Sequence, residues 1–234
     1  MTHRAEPRGS TRAPSEWNGA GVVLFDIDGT LVSLGGLGRR ALARAMTEEW
    51  GIEAPLDGVS LSGSTDGALA RAVGGDRPRA GVWRRYLTYL SALAPGHGAP
   101  LPGVTALLDA LTGGGARLGL LTGNLSGSAR IKLEHVGLWR RFDVGLSAFA
   151  EDDEDRGEMA ARAVERALGA PVVIVGDSLA DVRAARHVGA PVLITATGVE
   201  TEESLRLTAP DLLVSDLTDT ARLSQWLLAR LSAG

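Results

Sequence analysis

The stretch AGVVLFDIDGT, residues 20–30, decides the fold. Residues 20–25 are apolar or small without interruption and end at a carboxylate, the pattern of a strand buried on both faces. Asp26 and Asp28 follow in a short loop that turns at Asp28-Gly29, and strand alternation aims both carboxylates the same way. Like charges so close call for a cation between them or a shared proton. An Asx-turn with glycine is the other reading of the same residues.

Outward from this strand, helical spacing of Leu37, Leu42, Ala45, Met46 and Trp50 predicts a helix over residues 36–50, stopped by Gly51. Ser64 or Thr65 caps a second helix reaching Val73, and a third spans 79–93. A Pro/Gly-rich stretch, 94–103, closes this run. Beyond it strands are expected at 116–121, 142–146, 172–175, 191–195 and 211–214, with helices at 104–111, 126–136, 158–168, 180–188 and 218–231. The alternation predicts an α/β fold: a doubly wound parallel, Rossmann-like sheet interrupted by an inserted α-helical cap. Residues 1–19 read as a flexible tail, 20–34 and 99–234 as the core domain, and 35–98 as the cap.

The 234 residues suffice for one large domain carrying a small insertion, and 44% apolar with 22% charged residues is a globular balance. No cysteine is present, which excludes disulfides, thiolate metal sites and thiol catalysis. The 24 basic and 28 acidic side chains gather no strong basic excess beyond the first dozen residues, so nucleic acid is not an expected partner. No run of 18 apolar residues exists and no signal core precedes the first strand, so a cytoplasmic protein without membrane contact is expected. Among the basic residues, Lys132 is the sole lysine.

Ligands of doubly wound sheets bind beyond the carboxyl ends of the strands. After the strand at 116–121 come Thr122, Gly123 and Asn124, a hydroxyl and free amides at a helix start, suited to an anion. Past the strand at 172–175 lie Gly176, Asp177 and Ser178, with Asp181 one helical turn on. With Asp26 and Asp28 these carboxylates form a hard-oxygen set suited to Mg²⁺. Ordinary helix capping is the alternative reading of each loop.

The ordered set FDIDGT (25–30), LTGN (121–124) and VGDSLAD (175–181) resembles the haloacid dehalogenase superfamily of phosphohydrolases. The helical insertion and GSTDG (63–67) resemble the caps of its phosphoglycolate-phosphatase-like and β-phosphoglucomutase-like members, and the likeness spans roughly residues 20–231. It implies that Asp26 is a nucleophile forming an aspartyl phosphate and Asp28 the general acid and base. Mg²⁺ would be held by Asp26, the backbone carbonyl of Asp28 and Asp177, with Asp181 orienting that shell. Thr122, Gly123 and Asn124, with Gly29 and Thr30, would bind the phosphoryl group of a small phosphorylated metabolite.

The resemblance also requires a cation bridging nucleophile and phosphoryl group, normally a lysine some twenty-odd residues before the last acidic motif. Arg156 stands at that distance and is favoured; Lys132 competes, although its place on the helix after Thr122 suits an exposed or intrahelical pair. The acidic run 151–155 reads as a solvated face, and the four histidines show no ligand spacing. Arg71, Arg84, Arg85 and residues 63–66 are candidate specificity determinants, and His97 is placed in the return linker. Two other activities stay open: a phosphomutase using the same residues, and, from GDSL at 176–179, a hydrolase with Ser178 as nucleophile. Oligomeric state is not legible.

Overall fold

The computed structural model describes residues 21–59, 62–92 and 98–232; the tail, His97 and the last two residues lie outside them. The opening strand β1 (Gly21–Phe25) is entirely buried. It is joined by β4 (Ala116–Leu120), β5 (Val172–Gly176), β6 (Val192–Thr195) and β7 (Leu212–Val214). All pair in parallel, in the order β4-β1-β5-β6-β7. Between β4 and β5 the chain crosses β1, so the loops leaving β4, β1 and β5 share one edge and diverge there.

Alternation along β1 and β5 feeds two cores. Val23, Phe25, Val173 and Val175 pack with α4 (Val104–Gly113), α5 (Ser126–His135) and α9 (Thr220–Leu231). Val22, Leu24, Val172 and Ile174 pack with α6 (Arg156–Arg166), α7 (Leu179–Val188) and Leu205 of α8 (Glu202–Leu207). Burial on both faces explains why these strands read as unbroken apolar runs.

The helices α1 (Leu37–Trp50), α2 (Asp66–Gly74) and α3 (Ala80–Ser91) have an apolar cluster of their own, including Leu42, Met46, Val82, Tyr86 and Leu90. The chain enters and leaves this cluster through a two-stranded antiparallel ribbon of β2 (Val32–Ser33) and β3 (Ala99–Pro100). Thr65 caps α2 by accepting from Ala68 N.

The expected strand at 142–146 is absent. Asp143 instead accepts from Gly145 N at 2.9 Å, and 3-10 turns form at Trp139–Arg141 and Val144–Leu146. An aspartate that bonds the amide two residues on competes directly with strand pairing. Only the bridge Leu121–Ala148 continues the ladder beyond β4. The helix α8, capped by Thr201, was not expected from the sequence. Among the described residues no helix is long and apolar enough to cross a membrane.

Because Ile174 is wholly buried at the centre of the sheet, Ile174→Ala is expected to cost about 2–5 kcal/mol of stability. Urea denaturation measures this, and a loss below about 1 kcal/mol would contradict the packing described.

Candidate active site

Three strand ends converge on one mouth. Asp26 follows β1 and donates its amide to Val175 O at 2.9 Å, Thr122 lies just past β4, and Asp177 follows β5. Asp26, Asp177 and Asp181 each bring an oxygen to within 4.8 Å of the others.

Close backbone approach sets this geometry. Gly29 has φ +86°, and a Cβ there would lie 2.5 Å from Asp177 Oδ2. Thr30, fully buried, donates its hydroxyl to Asp177 Oδ1 at 2.7 Å. Its expected role as a phosphate ligand is therefore corrected: the hydroxyl is committed to a carboxylate and does not line the cavity. Asp181 forms a capping box with Ser178 at the start of α7. Its Oδ2 accepts from Ser178 N at 3.0 Å and Ser178 Oγ at 2.7 Å, while Oδ1 accepts from Arg156 at 2.6 Å. Both oxygens are occupied, so Asp181 is an anchor for the loop. Ser178 spends its hydroxyl on that cap, an arrangement for holding a helix rather than for activating a nucleophile.

Two buried cations enter from opposite sides. Arg156 Nη2 lies 3.0 Å from Asp26 Oδ1 and also donates to Leu121 O at 3.1 Å. Its Nε is buried without a protein partner among the described residues. Lys132, 3% exposed, donates to Asp28 Oδ2 and to Asn124 Oδ1, both at 2.6 Å. The expectation of an exposed or intrahelical lysine is thus overturned: its place on α5 turns it inward across the loop toward Asp28. Asn124 bonds Asp28 Oδ2 and Thr122 Oγ1 through Nδ2, tying the loops after β1 and β4 together.

Burial pushes the Asp26 carboxyl up to about 6, Arg156 opposing and Asp181 and Asp28 reinforcing. Asp177 is pushed up to about 8 by burial and by the charges of Asp26 and Asp181, against the Thr30 hydrogen bond and Arg156. Arg156 is held charged by the same carboxylates, its pKa raised despite burial. Three carboxylates face one guanidinium here, so the donor set is hard, crowded and over-negative, and it fits a divalent cation.

A cavity of about 350 Å³ opens between the sheet edge and α1–α3. Asp26, Asp28, Thr122, Gly123, Asn124, Lys132, Arg156 and Asp177 line its floor, and Leu42, Leu56, Leu69 and Tyr86 its roof. Of the specificity candidates, Gly63, Ser64 and Asp66 line it, but Arg71, Arg84 and Arg85 do not. Arg71 pairs with Glu154, and Arg85 with Glu49 and Glu48. The acidic run is also more than a solvated face: Glu151 accepts from Ser126 N, Asp152 pairs with Arg166, and Asp155 caps α6.

Sequence reasoning named Asp66 only as a specificity candidate and missed the loop after β6. Asp66 accepts from Leu125 N at 2.9 Å and donates its own amide to Gly123 O at 2.7 Å, so α2 supplies the cap that Leu125 cannot give α5. Burial pushes Asp66 up to about 6 against the charge of Lys132. The loop after β6 reaches the site too, Thr197 Oγ1 donating to Gly29 O at 2.5 Å. The strand-end rule applied to β6 would have found it.

The haloacid dehalogenase-like hydrolase model matches residues 21–189. The chain belongs to that family of hydrolases. A phosphoglycolate phosphatase from Rhodospirillum rubrum is 36% identical over 225 residues, 88% of this chain and 90% of the relative. A predicted phosphatase from Clostridium acetobutylicum superposes with TM-score 0.68 at 20% identity, covering 89% of this chain and 98% of that one. A β-phosphoglucomutase-like structure from Thermotoga maritima gives TM-score 0.60 at 21% identity, covering 88% and 99%. The motif-based resemblance is borne out at the level of family and fold.

Raised carboxyls make the cation-free hydrolase hold protons that its unfolded chain releases, so its stability falls as pH rises through the acid range. A divalent cation bound at these carboxylates would displace those protons. Saturating Mg²⁺ is therefore expected to raise Tm more at pH 8 than at pH 5, and Asp177→Asn to abolish most of the difference. Equal shifts at both pH values in a thermal melt would refute the assignment of these carboxylates to a cation. Asp66 acts in the same direction, its cost growing from pH 4 to about 6. Asp66→Asn is expected to flatten that part of the stability profile in urea titrations.

Proposed function

We propose that this hydrolase cleaves the phosphomonoester of a small phosphorylated metabolite with Mg²⁺, through an aspartyl-phosphate intermediate. The observation that carries the reading is Asp26, buried at the end of β1, 3.0 Å from the Arg156 guanidinium and clustered with Asp177. Asp26 attacks phosphorus, the ester P–O bond breaks, and the departing alkoxide takes a proton from Asp28. Water then attacks the acyl phosphate, Asp28 takes its proton, phosphate leaves and Asp26 is regenerated.

Asp26, the Asp28 carbonyl and Asp177 are the residues to hold Mg²⁺, and Asp181 keeps Asp177 and Arg156 in place. When bound, the cation neutralises charge between carboxylates and phosphoryl oxygens. Arg156 supplies fixed positive charge beside the transferring group, the bridging-cation role. The Thr122–Asn124 loop offers amides to its oxygens. We take residues 35–98 as a cap, because the described part of this segment roofs the cavity, an arrangement that favours a small metabolite over a macromolecule. The relative from Rhodospirillum rubrum makes 2-phosphoglycolate the first ester to assay and supports water, rather than a sugar hydroxyl, as acceptor.

Hydrolysis of p-nitrophenyl phosphate should require Mg²⁺, stop with EDTA, and fall to background in a folded Asp26→Asn variant. Activity that survives both the chelator and the substitution would refute the mechanism.

A further inference from the structure

We propose that Lys132 is a positioning residue that decides which oxygen of Asp28 carries the catalytic proton, an assignment that rests on the phosphohydrolase reading above. Lys132 is the sole lysine of the chain, is 3% exposed, and among the described residues its ammonium bonds Asp28 and Asn124, neither of them on its own helix. Burying an ammonium is costly unless acceptors meet it. Here two do, Asp28 Oδ2 and Asn124 Oδ1, each at 2.6 Å.

The pattern on Asp28 is one-sided. Lys132 Nζ donates to Oδ2 at 2.6 Å, and Asn124 Nδ2 donates to the same oxygen at 2.8 Å. Two donors occupy the lone pairs of Oδ2, so a proton on Asp28 belongs on Oδ1. Asn124 also accepts from Lys132, closing a three-membered ring of hydrogen bonds that holds the carboxyl plane. An acid delivers its proton efficiently only from a fixed position within hydrogen-bond reach of the leaving oxygen. Asp28 is otherwise half exposed, its side chain at 48%, and among the described residues Lys132 and Asn124 are the side chains that bond its carboxylate.

The cap side completes the arrangement. A Cβ at Gly38 of α1 would lie 3.1 Å from Lys132 Nζ, so glycine there leaves the ammonium room under the roof. Arg156 cannot substitute, because its guanidinium is engaged with Asp26 and Asp181 on the other side of the nucleophile. The two cations thus divide the work: Arg156 serves the attacking group, Lys132 the proton donor.

The test compares kcat/KM for p-nitrophenyl phosphate and phenyl phosphate, two esters of similar shape whose leaving groups differ in their need for a proton. Lys132→Met is expected to lose about tenfold more activity on phenyl phosphate than on p-nitrophenyl phosphate, because only the poorer leaving group depends on the acid. Lys132→Arg, which keeps charged donors near Oδ2, should bring the ratio back toward wild type. Lys132→Leu, which likewise has no donor, carries the same expectation as methionine and stands in if that variant unfolds. Equal losses on both esters would overturn the assignment and place Lys132 on the phosphoryl group or in the fold. A wild-type protein that releases phosphate from neither ester, with Mg²⁺ present, overturns the phosphohydrolase reading and this assignment together.

Discussion

Three carboxylates within 4.8 Å of one another, two of them at the ends of adjacent central strands, are the constraint around which this protein is built. Such a cluster repels itself, and burial makes the repulsion stronger. The fold answers with Arg156, placed at the first position of α6 and turned inward onto Asp26 and Asp181. Removing a partner from a buried network of this kind leaves an uncompensated charge, so each member depends on the others. A divalent cation would relieve what one guanidinium does not.

The same constraint shapes the loops. Asp177 is approached so closely by Gly29 that any side chain there would collide with its carboxylate. At Gly123 the obstacle comes from the other side, since a Cβ would lie 2.4 Å from Ser64 O. The segment before α2 therefore rests directly on the loop expected to bind phosphate, and Asp66 supplies the helix cap for α5. Glu154 adds a second tie between the layers, accepting from Arg71 and Arg79. The shape of the loop after β4 thus depends on residues brought by the helical insertion.

How much of this is legible in the sequence follows from the range of each interaction. The buried strands are legible because burial on both faces leaves an unbroken apolar run, and their carboxyl ends mark Asp26, Thr122 and Asp177 directly. The expected strand at 142–146 failed because a local bond from the Gly145 amide to the Asp143 carboxylate outweighed apolar content. Thr30 failed differently: its partner Asp177 lies 147 residues away, and no local pattern states which of two nearby polar groups a hydroxyl will choose. Lys132 is the most instructive case. Helical spacing places it on α5, yet the face it presents depends on how α1 and the Asp28 loop close over it.

The chemistry of the two cations explains their division. Nη2 of Arg156 reaches Asp26, Asp181 and a backbone carbonyl together, which a planar, permanently charged group does without losing its proton. Lys132 ends in a compact ammonium with three donors, two of which reach Asp28 and Asn124 beside Gly38. Under the proposed mechanism, a site that binds a doubly charged ester, moves a proton and then repeats the transfer with water needs both kinds of charge. One is fixed against Asp26, the proposed nucleophile, and the other holds Asp28, the proposed acid, without bonding Asp26.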